Sequence, residues 1–392
     1  HLPEEPRRCG MDAVVVGGGI VGVASAYYLA ERGADVTLLE KASLGSGSTD
    51  RAAGGIRAQF STTPSIELSK RSIEVWERFE ETFGTDIEYR RPGYMYVART
   101  ESTADRLRET VPFQNDHGVP SEFLDPETAA EYVPGLRTEA YVGTAYCPTD
   151  GFADPHLGLQ GFARGATAAG ADVRTGVEVT DLTPRDGRVR VETTDGRYDP
   201  EYVVLAAGSW SPNVARTAGI DLPVSPRRRQ AMVVDPERPV PASNPLVTDL
   251  DAGCYFRPER DGKALVGGHF EAADPEQDPD RYRTSTDLEW TVDALEGAAS
   301  VADYFGPDSE VVRGWAGLYA VTPDHHPVIE ESRPGIVTAT GFSGHGFMQS
   351  PATGQVVSEL VLDGEARTVD VSALRADRFE RGEPLHETYF SA

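Results

Sequence analysis

His345 stands in the stretch GFSGHGFMQS, residues 341–350, among Gly341, Gly344 and Gly346 and ahead of Met348. The stretch is too rich in glycine for a strand and too apolar for an ordinary solvent loop. It fits a turn whose backbone comes close to a flat or electron-rich group, with a helix start facing that group. Other pairings that look chemical carry less. His325 and His326 in TPDHHPVI are adjacent, and neighbours on an extended segment point apart, so a metal site is not expected. Asp150 and Asp154 lack the spacing of a calcium loop. Cys9, Cys147 and Cys254 form no CxxC pair, which argues against zinc and a disulfide framework and for a reducing, cytoplasmic setting. No GxSxG supports hydrolase chemistry.

The elements that must position such a turn begin at the N-terminal end. MDAVVVGGGIVGVASAYYLAERGADVTLLEKA gives a buried parallel strand at Val14–Val16, then Gly17-x-Gly19-x-x-Gly22, then a helix over Ile20–Glu31. A second strand, Val36–Leu39, ends at Glu40, where an acid would take the ribose hydroxyls of an adenine dinucleotide. The helix N-terminus would face the pyrophosphate. The order of all these parts points to dinucleotide binding, without separating NAD from FAD. Tyr202–Leu205 followed by AAGSWSP repeats the pattern of strand and small-residue turn, and Gly335–Thr340 feeding GFSGHG repeats it again. A last turn of this kind suits a long cofactor with a second ring system.

Between these turns, Ser43–Gly55 is a loop and Ile66–Phe83 an amphipathic helix. Further helices are expected at His156–Gly170, Thr286–Tyr304 and Ser350–Leu362. Strands are expected at Tyr94–Ala98, Val173–Leu182, Val189–Thr194, Gln230–Val234, Cys254–Arg257 and Lys263–Gly268. The uncharged run Ala13–Ala30 is long enough to cross a bilayer, but its clustered glycines favour strand–turn–helix, so no membrane span is expected. Residues 1–10, ahead of Met11, read as a tag or upstream extension.

The 392 residues are 39% hydrophobic, enough for two intertwined domains. Lys+Arg is 37 against Asp+Glu 63, a net charge of −26, which opposes nucleic-acid binding. Lys41, Lys70 and Lys263 are the lysines, and with so acidic a surface their scarcity points to a halophilic, archaeal source. The run Arg227–Arg229 reads as a salt-bridged surface stretch.

Four stretches together resemble the flavin-dependent amine and amino-acid oxidoreductases that include D-amino-acid oxidase, glycine oxidase and sarcosine oxidase. They are VVVGGGIVGVASAYYLA with Glu40, AAGGIRAQFS (52–61), GWAGLYAVTPDHHPVI (314–329) and GFSGHGFMQSPATG (341–354). The resemblance covers Met11–Glu365 and is nearest to the branch of sarcosine oxidase β-subunit, proline dehydrogenase β-subunit and dimethylglycine dehydrogenase. It implies an α/β chain: a glutathione-reductase-type FAD domain with an interleaved α+β substrate domain on a larger mixed sheet. The implied division is 11–90, 140–222 and 310–365 for FAD, 91–139 and 223–309 for substrate, and a C-terminal tail at 366–392.

Carried over residue by residue, the resemblance implies that Gly17, Gly19, Ile20, Val21 and Gly22 cradle the pyrophosphate of FAD. Glu40 and Lys41 would meet the adenine ribose, and Val179 would present its backbone to the adenine. Ser48, Arg51, Ala53, Gly54, Gly55 and Ile56, with Ala207, Gly208 and Trp210, would line the cofactor. Gly317 and Leu318 would lie on the other side of its ring, and Gly344, His345, Gly346, Phe347 and Met348 at its pyrimidine end, where backbone N–H groups can stabilise charge as an oxyanion hole does. Arg57, Tyr255, His269, Tyr319 and Met348 would shape the substrate pocket, although taken singly the tyrosines and His269 read as ordinary packed residues.

Departures from the family pattern bear on substrate. Gly317 stands where monomeric sarcosine oxidase has its flavin-linking cysteine, which implies non-covalent FAD. Met348 and Phe60 replace two carboxylate-binding cations, so Arg57 or one of Arg227–Arg229 would have to serve. Leu265 replaces an oxygen-activating lysine; either Lys263 substitutes or electrons pass to a carrier rather than oxygen. The expected activity is oxidation of the C–N bond of a secondary or N-methylated amino acid (sarcosine, dimethylglycine or proline class) by hydride transfer to flavin, giving an imine that hydrolyses. Glycine or D-amino-acid oxidation stands behind it. A flavin-bearing assembly factor, or a non-autonomous subunit of a larger complex, is the alternative of another class; a homo-oligomer or a partner subunit is compatible with either.

Overall fold

In the computed structural model, residues 10–270 and 273–388 are described. The first sheet has six strands in the order Val328–Arg333, Ile336–Thr340, Tyr202–Leu205, Asp12–Val16, Asp35–Glu40 and Asp172–Thr175. Every neighbouring pair is parallel except the first. Val14, Val15 and Val16 are buried, as a strand covered on both faces requires. Helices Ile20–Glu31, Pro155–Ala168 and Gly346–Leu362 pack together on one face. A Cβ on Gly354 would come 2.8 Å from Ala24 C, so the first and last of these helices touch backbone to backbone. The other face carries helix Ser211–Thr217 and the three-stranded sheet of Val179–Arg185, Arg188–Thr193 and Gly196–Tyr198.

The second sheet has eight strands: Glu310–Val321, Ser225–Asp235, Ala264–Gly268, Cys254–Pro258, Leu246–Asp249, Tyr94–Ala98, Gly143–Cys147 and Glu122–Leu124. One pair, Leu246–Asp249 with Tyr94–Ala98, is parallel, so the sheet is mixed. Alternation divides its side chains. Met95, Val97, Met232, Val247, Phe256 and Val266 bury one face, under Trp290, Ala294 and Ala298 of helix Leu288–Val301. The register puts Tyr94, Tyr96, Tyr255, Gly267, Arg229, Gly317 and Tyr319 on the opposite face.

Several expected boundaries move. The uncharged run Ala13–Ala30 is split between strand and helix at Gly17–Gly19, and no helix among the described residues is long and apolar enough to cross a membrane. The expected strand Val173–Leu182 is two strands, broken at Gly176 where φ is +73°. The strand expected to start at Gln230 starts at Ser225, so Arg227–Arg229 lie inside the ladder. The helix expected from Ser350 starts at Gly346, which puts Phe347, Met348 and Gln349 in its first turn. Of the segment read as a C-terminal tail, residues 366–388 are described, and Val369, Val371 and Leu374 are buried in the first core. Arg378 donates from Nε and Nη2 to Asp324 at 2.7 and 2.9 Å with both side chains buried. Residues 1–9, including Cys9, lie outside the described part.

Candidate functional site

The first sheet changes direction of winding between Asp12–Val16 and Tyr202–Leu205, and ligands of such sheets bind outside the strand ends at that point. Both strands run into small-residue turns there: Gly17–Gly22 and Ala206–Trp210. A Cβ on Gly22 would lie 2.0 Å from Gly17 O, so helix and turn can meet only through glycine. A Cβ on Gly19 would meet Thr49 Oγ1 at 3.5 Å and no other close atom, and one on Gly208 would meet nothing within 4 Å. Gly19 and Gly208 therefore face open space, with the N-terminus of helix Ile20–Glu31 at its edge. Ile20 N donates to Thr49 Oγ1 at 3.1 Å, which ties the loop at 43–55 to that helix.

Glu40 closes the crevice at the end of its strand. Its carboxylate accepts from Gly18 N at 2.7 Å and from Ala42 N at 2.8 Å. Beside it, Lys41 pairs with Asp280 and lies 4.4 Å from the Trp210 ring centroid, while Trp210 Nε1 donates to Asp280 at 2.8 Å. Val179, buried, begins the strand next along. This set of glycine backbone, helix start and strand-end carboxylate fits a dinucleotide.

The loop at 43–55 then crosses to the second sheet. Ser48 Oγ donates to Leu318 O at 2.6 Å, Trp315 Nε1 to Arg51 O at 3.1 Å, and Arg257 Nε to Ala53 O at 2.9 Å. Arg51 itself donates to Ser46 O and to Gly47 O. A Cβ on Gly317 would press on the Arg51 side chain at 2.9 Å. Gly55 pairs with Phe152 and Ile56 with Gly151, and Gly55 faces Tyr94: a Cβ there would lie 3.1 Å from the phenol oxygen. Gly344, at φ +97°, faces Tyr319, whose ring a Cβ would meet at 2.3 Å. The turns at 54–57 and 344–346 thus close against the tyrosine face.

Arg57 bridges those two turns. It is 2% exposed, donates to Gln59 O and, from Nη2, to His345 Nε2 at 3.0 Å, and lies 3.8 Å from the Phe60 ring centroid. A guanidinium only donates, so His345 Nε2 is the acceptor and the ring proton sits on Nδ1. Burial, then Arg57 beside it, hold the His345 imidazole well below its ordinary range. It stays neutral and cannot serve as a base at Nε2 while this bond stands. Tyr255, Tyr94 and Tyr319 have their phenols raised by burial, that of Tyr94 to about 12, so they remain protonated hydrogen-bond donors.

Other expected residues sit apart. Met348 is buried in the first core, and its carbonyl accepts from Trp76 Nε1 at 3.0 Å; Phe347 stacks on the same Trp76 at 4.9 Å. His269 is exposed at the end of strand Ala264–Gly268, near Arg229 and Asp274. Lys263 lies at the other end of that strand, away from Gly267 and His269. His326 is buried against Thr62 Oγ1 at 3.0 Å and Asp324 O at 2.6 Å, while His325 takes a left-handed φ of +61°.

Three residues not picked from the sequence belong to this region. Tyr94 and Tyr96 were legible in principle, since alternation along YMYVA puts both on one face. Asp150 left no such signal. It is buried and accepts from Ala58 N at 2.9 Å and Gln59 N at 3.4 Å, holding the turn that carries Arg57. Burial pushes its carboxyl up to about 7, with the Ala58 N–H and then Arg57 opposing.

The family described as DAO, FAD dependent oxidoreductase, matches residues 12–360. The chain is 31% identical to dimethylglycine dehydrogenase, mitochondrial, of Mus musculus over 376 residues, covering 90% of this chain and 42% of that one. It is 31% identical to glycine oxidase of Geobacillus kaustophilus over 362 residues, covering 89% and 92%. L-proline dehydrogenase from P. horikoshii superposes with a TM-score of 0.87 at 32% identity, covering 96% of this chain and 100% of that one. The chain thus spans less than half of the mouse relative and the whole of the proline dehydrogenase chain. With the fold, the crevice and the match in agreement, the chain belongs to the DAO family of FAD-dependent oxidoreductases, with FAD as its cofactor.

Proposed function

We propose that this protein oxidises the C–N bond of a secondary or N-methylated amino acid of the sarcosine, dimethylglycine or proline class, and that the imine product is hydrolysed in water. The observation that carries the reading is the tyrosine face closed by two glycine turns, with Arg57 and His345 bridging them. An uncharged, protonated set of phenols beside a cation suits an amine that reacts in its neutral form.

In this reading Gly17, Gly19, Gly22 and Glu40 hold the adenosine pyrophosphate half of FAD, and the turns at 54–57 and 344–346 hold its ring. When bound, the flavin supplies the two-electron acceptor. The protein's part is orientation and exclusion of water. Gly317 offers no thiol, so FAD is held without a covalent link at this position. The division into FAD segments 11–90, 140–222 and 310–365 and substrate segments 91–139 and 223–309 belongs to the same proposal. So do high-salt adaptation, from the charge of −26, and a cytoplasmic setting.

A second reading, a subunit that turns over only with a partner, draws on the 42% share of the mouse relative that this chain spans. Mixing the purified yellow protein anaerobically with sarcosine, dimethylglycine, proline, glycine and D-alanine separates the two. Bleaching of the flavin band by a secondary or N-methylated amino acid supports the first. Flavin that dithionite reduces but no amine reduces would sink it and leave the second. Admitting air afterwards tells oxygen from a carrier as acceptor.

A further inference from the structure

Arg229 lies on the tyrosine face of strand Ser225–Asp235, paired across the ladder with Gly317, and its guanidinium stands 5.6 Å from the Tyr319 ring centroid. Its Nη1 and Nη2 grip the two oxygens of Asp274 at 2.7 and 2.8 Å. That two-pronged geometry is the one any carboxylate adopts on a guanidinium. Asp274 is held in place from outside the pair. Arg227 donates to its carbonyl, Gln277 N donates to Pro226 O at 2.9 Å, and Ser225 Oγ donates to Glu276 at 3.3 Å.

The pair is not sealed. The side chains of Arg229 and Asp274 are 18% and 34% exposed. A cavity of about 220 Å³ opens beside them at the edge of the sheet, walled by His269 and Gln277 and, from the helix side, by Gln230, Asp287 and Trp290 rather than by the tyrosines. Arg57, by contrast, is fully buried and engaged with Gln59 O and His345. Met348, where the family pattern has a cation, is in the core.

We propose that Arg229 is the substrate-carboxylate residue and that Asp274 occupies its guanidinium fork until a substrate carboxylate displaces it. Asp274 then sets a threshold: a carboxylate must outcompete it for the fork, so this internal competitor lowers the apparent affinity for every carboxylate ligand. This rests on the amino-acid reading above, but its test does not need turnover.

The test titrates the oxidised FAD-loaded protein with acetate at constant ionic strength and follows the flavin absorbance. Asp274→Asn is expected to tighten acetate about tenfold, and Arg229→Gln to weaken it about tenfold, the scale of one charge-assisted hydrogen-bonded pair. Arg229→Lys, which keeps the charge and loses the fork, should also weaken it and serves if the glutamine variant does not fold. In an Arg229 variant, adding Asp274→Asn should change affinity less than about twofold, because the competitor acts through the fork. Unchanged or weaker acetate binding in Asp274→Asn would overturn the proposal. So would equal tightening in both backgrounds, which would mean simple charge repulsion, or no acetate response in any form. If acetate behaves as expected while no amine reduces the flavin, the proposed activity falls and the Arg229 subsite stands.

Discussion

The nucleotide crevice and the tyrosine face are built from different material. The crevice is backbone: glycines at 17, 19 and 22, a helix start and one carboxylate, all within a single strand–helix–strand unit. The tyrosine face is side chain: Tyr94, Tyr96, Arg229, Tyr255 and Tyr319 come from four strands of an eight-stranded sheet and meet only through its register. A surface made of backbone tolerates no added atom where it packs on itself, as at Gly22, whereas a surface made of side chains can be retuned one residue at a time. The first suits an invariant cofactor and the second a substrate that differs between relatives.

The sharpest way to break that contrast is to add atoms to the crevice. Gly22→Val would place its Cβ 2.0 Å from Gly17 O and 3.1 Å from Gly17 C, against backbone that has no rotamer to change. Overpacking of this kind should cost at least ~3 kcal/mol and nearly all bound flavin, read by urea titration and by flavin absorbance per protein. A variant that keeps its flavin would show that the turn can move and that the crevice is not rigid.

Asp150 sharpens the contrast from below, because it anchors the turn that joins the two regions. Its carboxyl is raised from 3.8 to about 7 in the folded chain. The fold therefore keeps a proton that the unfolded chain releases above its ordinary value. Stability contributed at this group falls as pH rises from about 4 to about 7 and is level above that. Between pH 5 and pH 8 the wild type should lose roughly 2 kcal/mol relative to Asp150→Asn, measured by urea unfolding at both pH values. Parallel behaviour of the two proteins would mean that Asp150 is ionised throughout.

On the tyrosine face smaller effects are expected. Arg57→Lys loses the planar contact with Phe60 and the bond to His345. It should raise KM about tenfold while leaving bound flavin in place. Loss of flavin at unchanged KM would assign Arg57 to the cofactor instead. Tyr255→Phe keeps the ring and should change kcat/KM less than about threefold, while Tyr255→Leu should lower it further. Equal effects of the two would mean that the phenol hydroxyl, not the ring face, matters.

Much of the crevice was legible because its parts are contiguous. A valine strand, three spaced glycines, a helix and an acid follow one another in chain order, and each is forced by local backbone chemistry. The three strand–turn pairs were legible for the same reason. The helix at Gly346 was misjudged by four residues, because glycine and serine argue against helix locally and burial against Trp76 and the first helix overrides them. Met348, read from its place in the motif, sits in the first turn of that helix and is buried in the first core. Asp274 and Asp150 were not legible at all. Each gains its partner from a strand or turn far along the chain, 45 residues in one case and 92 in the other. The arginine run read as a salt-bridged surface stretch does carry ion pairs, Arg228 with Asp287 and Arg229 with Asp274, but its ladder positions depend on the strand Glu310–Val321 beside it.

The central claim is that the flavin ring lies at the turns 54–57 and 344–346, alongside the tyrosine face on which they close. A crystal structure of the FAD-loaded protein grown with acetate tests it most directly. The account predicts the ring against the backbone of those two turns, with Tyr255 and Tyr319 beside it. A ring seated elsewhere, with protein between it and those tyrosines, would contradict it.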